Sequence, residues 1–275
     1  MINLIDMRTI HDLQLNMLEK IDEICKRFDL TYFMIGGSAI GAVRDHGFIP
    51  WDDDIDVGLI RSDFDKFIQD APDYLSDVSM ALEEDRLDSA FEFDFAKLMR
   101  TDTWIEEHGR EDTRTRNGVF IDIFPFDRLP IDLDAQQQQA MQIKALKDEI
   151  TARVYPNRPR QIATISGLKK LSLTQLYKRR YQVMTRYNDD ARLPLANMSS
   201  PYAYAKEVIL PNEISSFEQK TFETLQVPVI SGYDTYLKRL YGDYMTVPPV
   251  NLQVSHHITA MTMLSSISED EGIGA

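Results

Sequence analysis

Four aspartates lie within five residues of this sequence, at Asp52, Asp53, Asp54 and Asp56, with Ile55 between the last two. From Asp54 onward polar and apolar residues alternate, which predicts a β-strand with two carboxylates on one face. Two unit charges about 4 Å apart repel by roughly 4 kcal/mol at an effective dielectric of about 20. A divalent cation offsets such repulsion most directly, and ligands that are all oxygen favour Mg²⁺ or Mn²⁺.

The acidic run has two alternative interpretations besides a metal site. A solvated acidic edge would protect a sheet from aggregation, but the apolar Ile55 and Val57 indicate a strand that is packed on one side. A calcium loop of the EF-hand type is excluded. Counting from Asp52, the sixth residue is Val57 where glycine is required, and the twelfth is Asp63 rather than Glu.

A glycine turn upstream supplies a second element of the same chemistry. Gly36, Gly37 and Ser38 follow a short β-prone run from Thr31 to Ile35 and precede a short helix predicted from Ala39 to Asp45. Such a turn presents backbone N–H groups and a helix N-terminus to an anion, and the Ser38 hydroxyl adds a donor. The turn and the acidic strand together predict a site for a metal-bound phosphate.

The elements that position these residues follow from hydrophobic periodicity. Spacings of three and four predict a helix over residues 10–28, and β-prone runs predict strands over 91–99 and 118–124. Beyond Pro130, residues 132–153, 167–187 and 233–241 have the composition of helices. The predicted class is α/β (α+β), with a mixed-sheet core over residues 1–128 and a mainly helical region over residues 129–275.

Composition narrows the classes of function. The 275 residues carry a formal charge of −14, so the average surface repels nucleic acid, which proteins bind through many Lys and Arg contacts. The single cysteine, Cys25, excludes an internal disulfide. No apolar run approaches the roughly 18 residues of a membrane helix, so we expect no transmembrane segment and a cytoplasmic protein. The sequence does not indicate an oligomeric state.

Several of these motifs resemble one protein family. The arrangement of Gly36-Gly37-Ser38 before Asp54-Ile55-Asp56 resembles the signature of the nucleotidyltransferase fold, the DNA-polymerase-β-like superfamily. The longer stretch from Gly36 to Arg61 (GGSAIGAVRDHGFIPWDDDIDVGLIR) resembles the LicD family more specifically, as do Gly118 to Pro125 (GVFIDIFP) and Ala96-Lys97-Leu98. The resemblance covers most of the chain and is weakest in the helices between residues 131 and 205.

The resemblance implies an enzyme. LicD-type proteins move phosphocholine or a related phospho-alcohol from a CDP-activated donor to a sugar of a cell-surface polysaccharide, teichoic acid or glycolipid. By position, Asp54, Asp56 and Asp122 match the catalytic, metal-binding carboxylates of the fold, and Ser38 matches a residue that contacts the donor phosphate. The implied partners are therefore a CDP-activated small molecule and a sugar or glycolipid acceptor, with Mg²⁺ or Mn²⁺ as cofactor.

Four residues near the predicted carboxylates complete the candidate list. With Gly37 and Ser38, Arg44 and Lys97 are candidates for contact with the donor phosphate, because Arg44 follows the glycine turn and Lys97 lies on a strand expected to neighbour the acidic one. The roles of His256 and His257 stay open.

Three other functions use the same residues. A nucleotidyltransferase acting on an NTP and a small alcohol phosphate would differ only in the phosphorus that is attacked. A glycosyltransferase with an Asp-x-Asp motif ranks lower, because that class lacks the glycine turn upstream. A non-catalytic nucleotide-binding module is the third alternative.

Overall fold

The computed structural model describes residues 7–264 except residues 76–78, 87, 89, 111, 114, 159–164, 166 and 256. The helices and strands in chain order are α1 (Met7–Phe28), β1 (Tyr32–Met34), α2 (Gly36–Ile40), β2 (Asp56–Ile60), α3 (Arg61–Leu75), β3 (Met80–Glu83), β4 (Ala96–Arg100), β5 (Thr103–Glu107), β6 (Phe120–Arg128), α4 (Leu133–Val154), α5 (Leu173–Met184), β7 (Leu195–Asn197), β8 (Val208–Ile209), β9 (Phe217–Phe222), β10 (Leu225–Ile230), α6 (Tyr233–Tyr241) and β11 (Ile258–Met263). A π-helical turn, Gly41–Asp45, continues α2.

A mixed seven-stranded sheet forms the centre of the fold, with five strands in the order β1-β2-β6-β4-β3. Strand β2 runs parallel to β6, whereas β1 and β4 are antiparallel to their neighbours. Because β6 is nine residues long, its second half also pairs with β7, and β7 pairs with β8. Two separate antiparallel pairs, β9–β10 and β5–β11, complete the strands of the described chain. The predicted mixed α and β class is confirmed.

Helices α1 and α3 pack against each other and against the sheet. The apolar face predicted for the first helix is buried, with Ile10, Met17, Ile21 and Ile24 fully inaccessible to solvent and Cys25 beside them. A second apolar cluster lies between α4 and α5 and reaches the sheet through β7. Burial of these apolar faces stabilises the two long helices, α1 and α4.

Some predicted boundaries are wrong. The strand predicted over residues 91–99 begins only at Ala96, because Phe91, Phe93 and Phe95 pack against one another instead of joining the sheet. The helix predicted to begin at Ala39 begins at Gly36. The two glycines are thus the first turn of a helix rather than a turn before it.

The region after residue 128 contributes strands as well as helices. Strands β7 and β8 extend the sheet of the preceding region, and β11 pairs with β5. The division into a core over residues 1–128 and a helical region over residues 129–275 stays a prediction. Among the described residues, none of the helices is both long and apolar enough to traverse a bilayer.

Candidate active site

The predicted carboxylates on neighbouring strands lie side by side. Asp56 begins β2 and is opposite Asp122 in the parallel pair β2–β6. The N–H of Asp122 donates to the carbonyl of Ile55 at 2.9 Å, which fixes this register. In the antiparallel pair β4–β6, Lys97 is opposite the same Asp122. The sheet therefore aligns two carboxylates and one ammonium group across three adjacent strands.

Negative charge at this end of the sheet exceeds the positive charge that faces it. Burial, with repulsion from Asp54, raises the pKa of Asp52 to about 8. Burial and then the charges of Asp54 and Asp122 raise the pKa of Asp56 well above its usual value. Burial also raises the pKa of Asp122 to about 6, although Lys97 opposes the shift. Carboxylates whose ionised forms are disfavoured in one place favour a bound cation.

Lys97 is buried among the groups that it neutralises. Its Nζ lies 3.0 Å from Asp122 Oδ1 and 3.6 Å from Glu107 Oε1, and 3.3 Å from the centroid of the Phe120 ring. Only 2% of the residue is exposed. The ammonium group therefore positions Asp122 in this structure, and its contact with a donor phosphate stays a prediction.

The glycine turn lies directly against the acidic strand. Gly36 has φ +55°, a conformation that residues with a side chain rarely adopt. A Cβ atom on Gly36 would lie 3.3 Å from Asp56 Oδ2, and one on Gly37 would lie 2.6 Å from Asp52 Oδ2. Glycine at both positions permits this close approach of backbone and carboxylate.

Ser38 ties the same turn to the strand. The N–H of Asp56 donates to the Ser38 hydroxyl at 2.8 Å, so the serine is an acceptor for the first residue of β2. Ser38 is 6% exposed. The structure places Gly37 and Ser38 beside the carboxylates, and their contact with a donor phosphate stays a prediction.

Asp53, which the sequence did not single out, joins the acidic loop to the C-terminal part of the chain. Its Oδ2 accepts hydrogen bonds from the hydroxyl of Ser255 at 2.6 Å and from the N–H groups of His257 and Ile258 at 3.0 and 2.6 Å. Burial alone would raise its pKa, but these hydrogen bonds hold the pKa below the usual value. Nothing local distinguishes Asp53 from its neighbours, because Ser255 is 202 positions away.

These contacts bring His257 to the site. Its Nε2 lies 3.1 Å from Asp54 Oδ2. The hydrogen bond to Asp54 raises the pKa of His257 to about 9, although burial opposes the shift. A protonated imidazole therefore supplies one positive charge beside Asp54 at neutral pH. The neighbouring candidate, His256, lies outside the described residues.

Several of these side chains are chemically suited to a metal ion. Among the residues that the structure describes, Asp53, Asp54 and His257 offer ligand atoms within 4.8 Å of one another. Of the predicted ligands, Asp54 belongs to this set, whereas Asp56 and Asp122 do not. Asp53 already accepts three hydrogen bonds, and His257 would have to lose a proton before its ring nitrogen could bind a metal. The raised pKa values of Asp56 and Asp122 fit a need for positive charge. The assignment of Asp54, Asp56 and Asp122 as ligands of Mg²⁺ or Mn²⁺ stays a prediction.

Arg44 makes contacts other than the predicted one. Its Nη2 donates to Asp45 at 2.8 Å and its Nη1 donates to the carbonyl of Tyr244 at 2.9 Å. These bonds link the π-helical turn after α2 to the segment after α6. Contact with a donor phosphate stays a prediction.

Side chains from the C-terminal part complete the surroundings of Asp56. Glu207 accepts a hydrogen bond from the hydroxyl of Tyr236 at 2.7 Å, and its charge contributes to the raised pKa of Asp56. The hydroxyl oxygen of Tyr241 lies 3.5 Å from the Cβ position of Gly36. The sequence predicted α6 with its observed bounds, and Tyr241 at its end is 36% exposed.

Comparison with known proteins agrees with the resemblance drawn from the motifs. Residues 29–145 match the family model described as LicD/FKTN/FKRP, nucleotidyltransferase domain. The lipopolysaccharide cholinephosphotransferase LicD of Haemophilus influenzae is 29% identical over 255 residues, which cover 89% of this chain and 93% of that protein. An uncharacterized protein of Rickettsia typhi, RT0683, is 33% identical over 58 residues, 21% of this chain and 19% of its own length. The resemblance to the LicD family is confirmed.

Proposed function

We propose that this chain, whose residues 29–145 match the LicD-type nucleotidyltransferase domain, transfers phosphocholine or a related phospho-alcohol from a CDP-activated donor to a sugar hydroxyl of a cell-surface glycolipid. The similarity to the lipopolysaccharide cholinephosphotransferase of Haemophilus influenzae supports the transferred group and the kind of acceptor. The CDP carrier and the dependence on a divalent cation are inferred from the resemblance and from the chemistry of the site.

One observation carries the proposal. The sheet register places Asp56 opposite Asp122, beside a glycine turn, in a region where burial and mutual repulsion disfavour ionised carboxylates. Such an arrangement stabilises positive charge. A cation bound there would in turn attract the diphosphate of a donor to a chain whose formal charge is −14.

The reaction requires positioning and charge stabilisation more than covalent chemistry from the protein. An oxygen of the acceptor hydroxyl attacks the phosphorus that carries choline, a new P–O bond forms, and the bond to the bridging oxygen of CMP breaks. CMP leaves with the electron pair of that bond. The hydroxyl proton passes to a base, for which Asp122 is suited because its carboxylate lies opposite Asp56 in the sheet.

The other side chains act on orientation and charge. Asp54 and Asp56 would hold the cation, which when bound neutralises charge on the diphosphate. The backbone of Gly37 and the hydroxyl of Ser38 would orient the phosphate next to it. His257 holds Asp54 in place through its 3.1 Å hydrogen bond.

The proposal is tested by CMP release from CDP-choline in the presence of Mg²⁺ or Mn²⁺, together with transfer of labelled choline to a lipopolysaccharide acceptor. Asp54→Asn should lower turnover by about 10³-fold or more, equal to roughly 4 kcal/mol of transition-state stabilisation. Asp190→Asn is the matched control, because the Asp190 carboxylate is exposed, pairs with the exposed Arg192 two residues along the chain and is not among the residues of the candidate site. Unchanged turnover in Asp54→Asn would remove the assignment.

A second substrate pair separates the main alternative. With CTP and phosphocholine, a nucleotidyltransferase releases pyrophosphate and forms CDP-choline, whereas the proposed transferase does not. Release of pyrophosphate without any choline transfer to the acceptor would therefore replace the proposed function with that alternative.

A further inference from the structure

We propose that a cavity beside β5 binds the ring of the acceptor sugar, an inference that rests on the proposed function. The cavity has a volume of about 440 Å³ and lies between β5, the segment after it and β11. Its wall includes Trp104, Glu106, Glu107, Arg110, Asn117 and Thr259.

The strongest indication of a ligand is a set of buried polar atoms without hydrogen-bond partners in the described part of the chain. They are Nε and Nη1 of Arg110, Oε2 of Glu107 and Oδ1 of Asn117. These residues are only 6%, 7% and 4% exposed, respectively. Within the set, the distance from Arg110 Nη1 to Glu107 Oε2 is 3.6 Å, which is too long for a good hydrogen bond. Buried polar groups left unsatisfied cost free energy, so their presence in residues that line a cavity indicates a polar ligand.

The same side chains are held in fixed positions by other contacts. Arg110 Nη2 donates to the hydroxyl of Thr113 at 3.0 Å, and the guanidinium lies 4.6 Å from the centroid of the Phe93 ring. Asn117 Nδ2 donates to the carbonyl of Ile105 at 2.6 Å. The unsatisfied atoms therefore belong to side chains that other contacts already orient, as expected of a preformed binding site.

The chemistry of the wall favours a neutral polyol. Arg110 has unsatisfied donors, whereas Glu107 and Asn117 have unsatisfied acceptors, and a hydroxyl group can serve both. Trp104 is 48% exposed and offers an apolar surface to the C–H groups of a sugar ring. Glu106 and Glu107 on the same wall would repel a diphosphate. A hexose fits these requirements, and the nucleotide part of the donor does not.

The cavity is connected to the carboxylates of the candidate active site by one side chain. Glu107 lines the cavity, and its Oε1 lies 3.6 Å from Lys97 Nζ, which in turn lies 3.0 Å from Asp122 Oδ1. A sugar held by Glu107 would thus lie at one end of a chain of charged groups that ends at the proposed base. Glu107 and Arg110 are positioning residues in this proposal, since neither touches the reacting phosphorus.

Binding can be measured without turnover. The sequence has two tryptophans, so Trp51→Phe leaves Trp104 as the single fluorescent reporter. Titration of this variant with methyl glycosides of glucose, galactose and N-acetylgalactosamine should give a saturable change for at least one sugar, with a Kd of about 1–10 mM. The absence of any saturable change with all three, or a change produced by CDP-choline alone, would overturn the proposal.

Turnover provides a second, independent measurement. Trp104→Ala should raise the acceptor KM about tenfold, equal to roughly 1.4 kcal/mol, while the donor KM and the slow release of CMP to water stay unchanged. Trp104→Phe should retain most of the affinity, and Phe217→Ala, at a comparably exposed aromatic residue outside the cavity wall, is the matched control. A rise in donor KM instead of acceptor KM would contradict the assignment. If no variant or parent chain released CMP, the proposed function would fail, whereas the sugar titration would still decide the nature of the cavity.

Discussion

Strands β2 and β6 carry buried charges at both of their ends, and the two ends differ in how those charges are matched. At one end Asp56 is opposite Asp122, and both have raised pKa values. At the other end Arg61, which directly follows β2, donates to both oxygens of Asp127 on β6 at 2.9 and 2.6 Å. The charge pair at this second end forms a closed, bidentate arrangement.

Within this one pair of strands, the end with matched charges stabilises the fold, and the end with unmatched carboxylates is the candidate active site. Asp127 is fully buried and Arg61 is 7% exposed, yet each has an opposite charge in contact, as buried ions in a stable fold require. The acidic end has two positively charged side chains, Lys97 and His257, for four carboxylates. These carboxylates belong to Asp52, Asp54, Asp56 and Asp122. A protein retains such an imbalance where a cationic ligand is to bind.

The largest expected effect breaks the paired end. Arg61→Met leaves Asp127 buried without its charge partner and should lower the free energy of unfolding by about 3–5 kcal/mol. Asp56→Asn should leave the unfolding of the metal-free protein unchanged or slightly stabilise it, because it removes a carboxylate that is held near other negative charge. Urea denaturation of both variants in the presence of a chelator measures the contrast.

Two outcomes of that experiment would remove the distinction between the ends. Equal destabilisation by Asp56→Asn would mean that its carboxylate is a structural partner. A near-neutral Arg61→Met would mean that the Arg61–Asp127 pair contributes little beyond the packing of its side chains.

The second effect is a dependence of stability on pH in the metal-free protein. The ordinary pKa of Asp is 3.8, and in the fold it rises to about 6 for Asp122 and about 8 for Asp52. Between pH 4 and 8 the folded chain therefore binds more protons than the unfolded chain. Its stability should be greatest at the acidic side of this window and fall by several kcal/mol as the pH rises through it.

Melting curves in a chelator at pH 5.5 and pH 8 measure this fall. Other buried carboxylates such as Glu84 and Glu207 also have raised pKa values and contribute to the fall. Comparison with Asp52→Asn shows how much of the fall in stability comes from the acidic end. Mn²⁺ should raise the melting temperature more at pH 8 than at pH 5.5. A fall of the same size in Asp52→Asn would show that the imbalance lies elsewhere.

The smallest effect concerns the hydrogen bond that joins the turn to the strand. Ser38→Ala removes the acceptor of the Asp56 N–H and should lower the free energy of unfolding by about 1 kcal/mol. Ser215→Ala is the control, because Ser215 is exposed and bonds only within its own turn. A loss of turnover as large as that of Asp54→Asn would instead give Ser38 a direct part in the chemistry.

The sequence was sufficient for features that depend on local pattern. The alternation after Asp54 predicted β2, the spacing of apolar residues predicted α1, and residues 233–241 predicted α6 with its observed bounds. The proximity of Asp56 and Asp122 followed from the family resemblance, because the pairing of two strands more than sixty positions apart leaves no local signal.

The β9–β10 hairpin illustrates a feature that local pattern conceals. Its turn has Glu223 at φ +52° where Asn or Gly is usual, and β9 is mostly exposed without clear alternation. The turn is stabilised from outside, since the Glu223 N–H donates to the carbonyl of His46 at 2.9 Å and its carboxylate accepts from the N–H of Phe48 at 3.2 Å. Tertiary contacts supply what the residue type does not.

The three hydrogen bonds to Asp53 have a consequence for the time at which the protein becomes competent during synthesis. The acidic loop, the glycine turn and β6 leave the ribosome well before Ser255, His257 and Ile258, which donate the hydrogen bonds to Asp53 and bring His257 beside Asp54. Until then these three donors are not available to the Asp53 carboxylate. Burying it would cost free energy, so we do not expect the loop to adopt its folded position before that point. Domains generally fold as units during translation, but here the loop that carries the aspartates waits for a segment made about two hundred residues later.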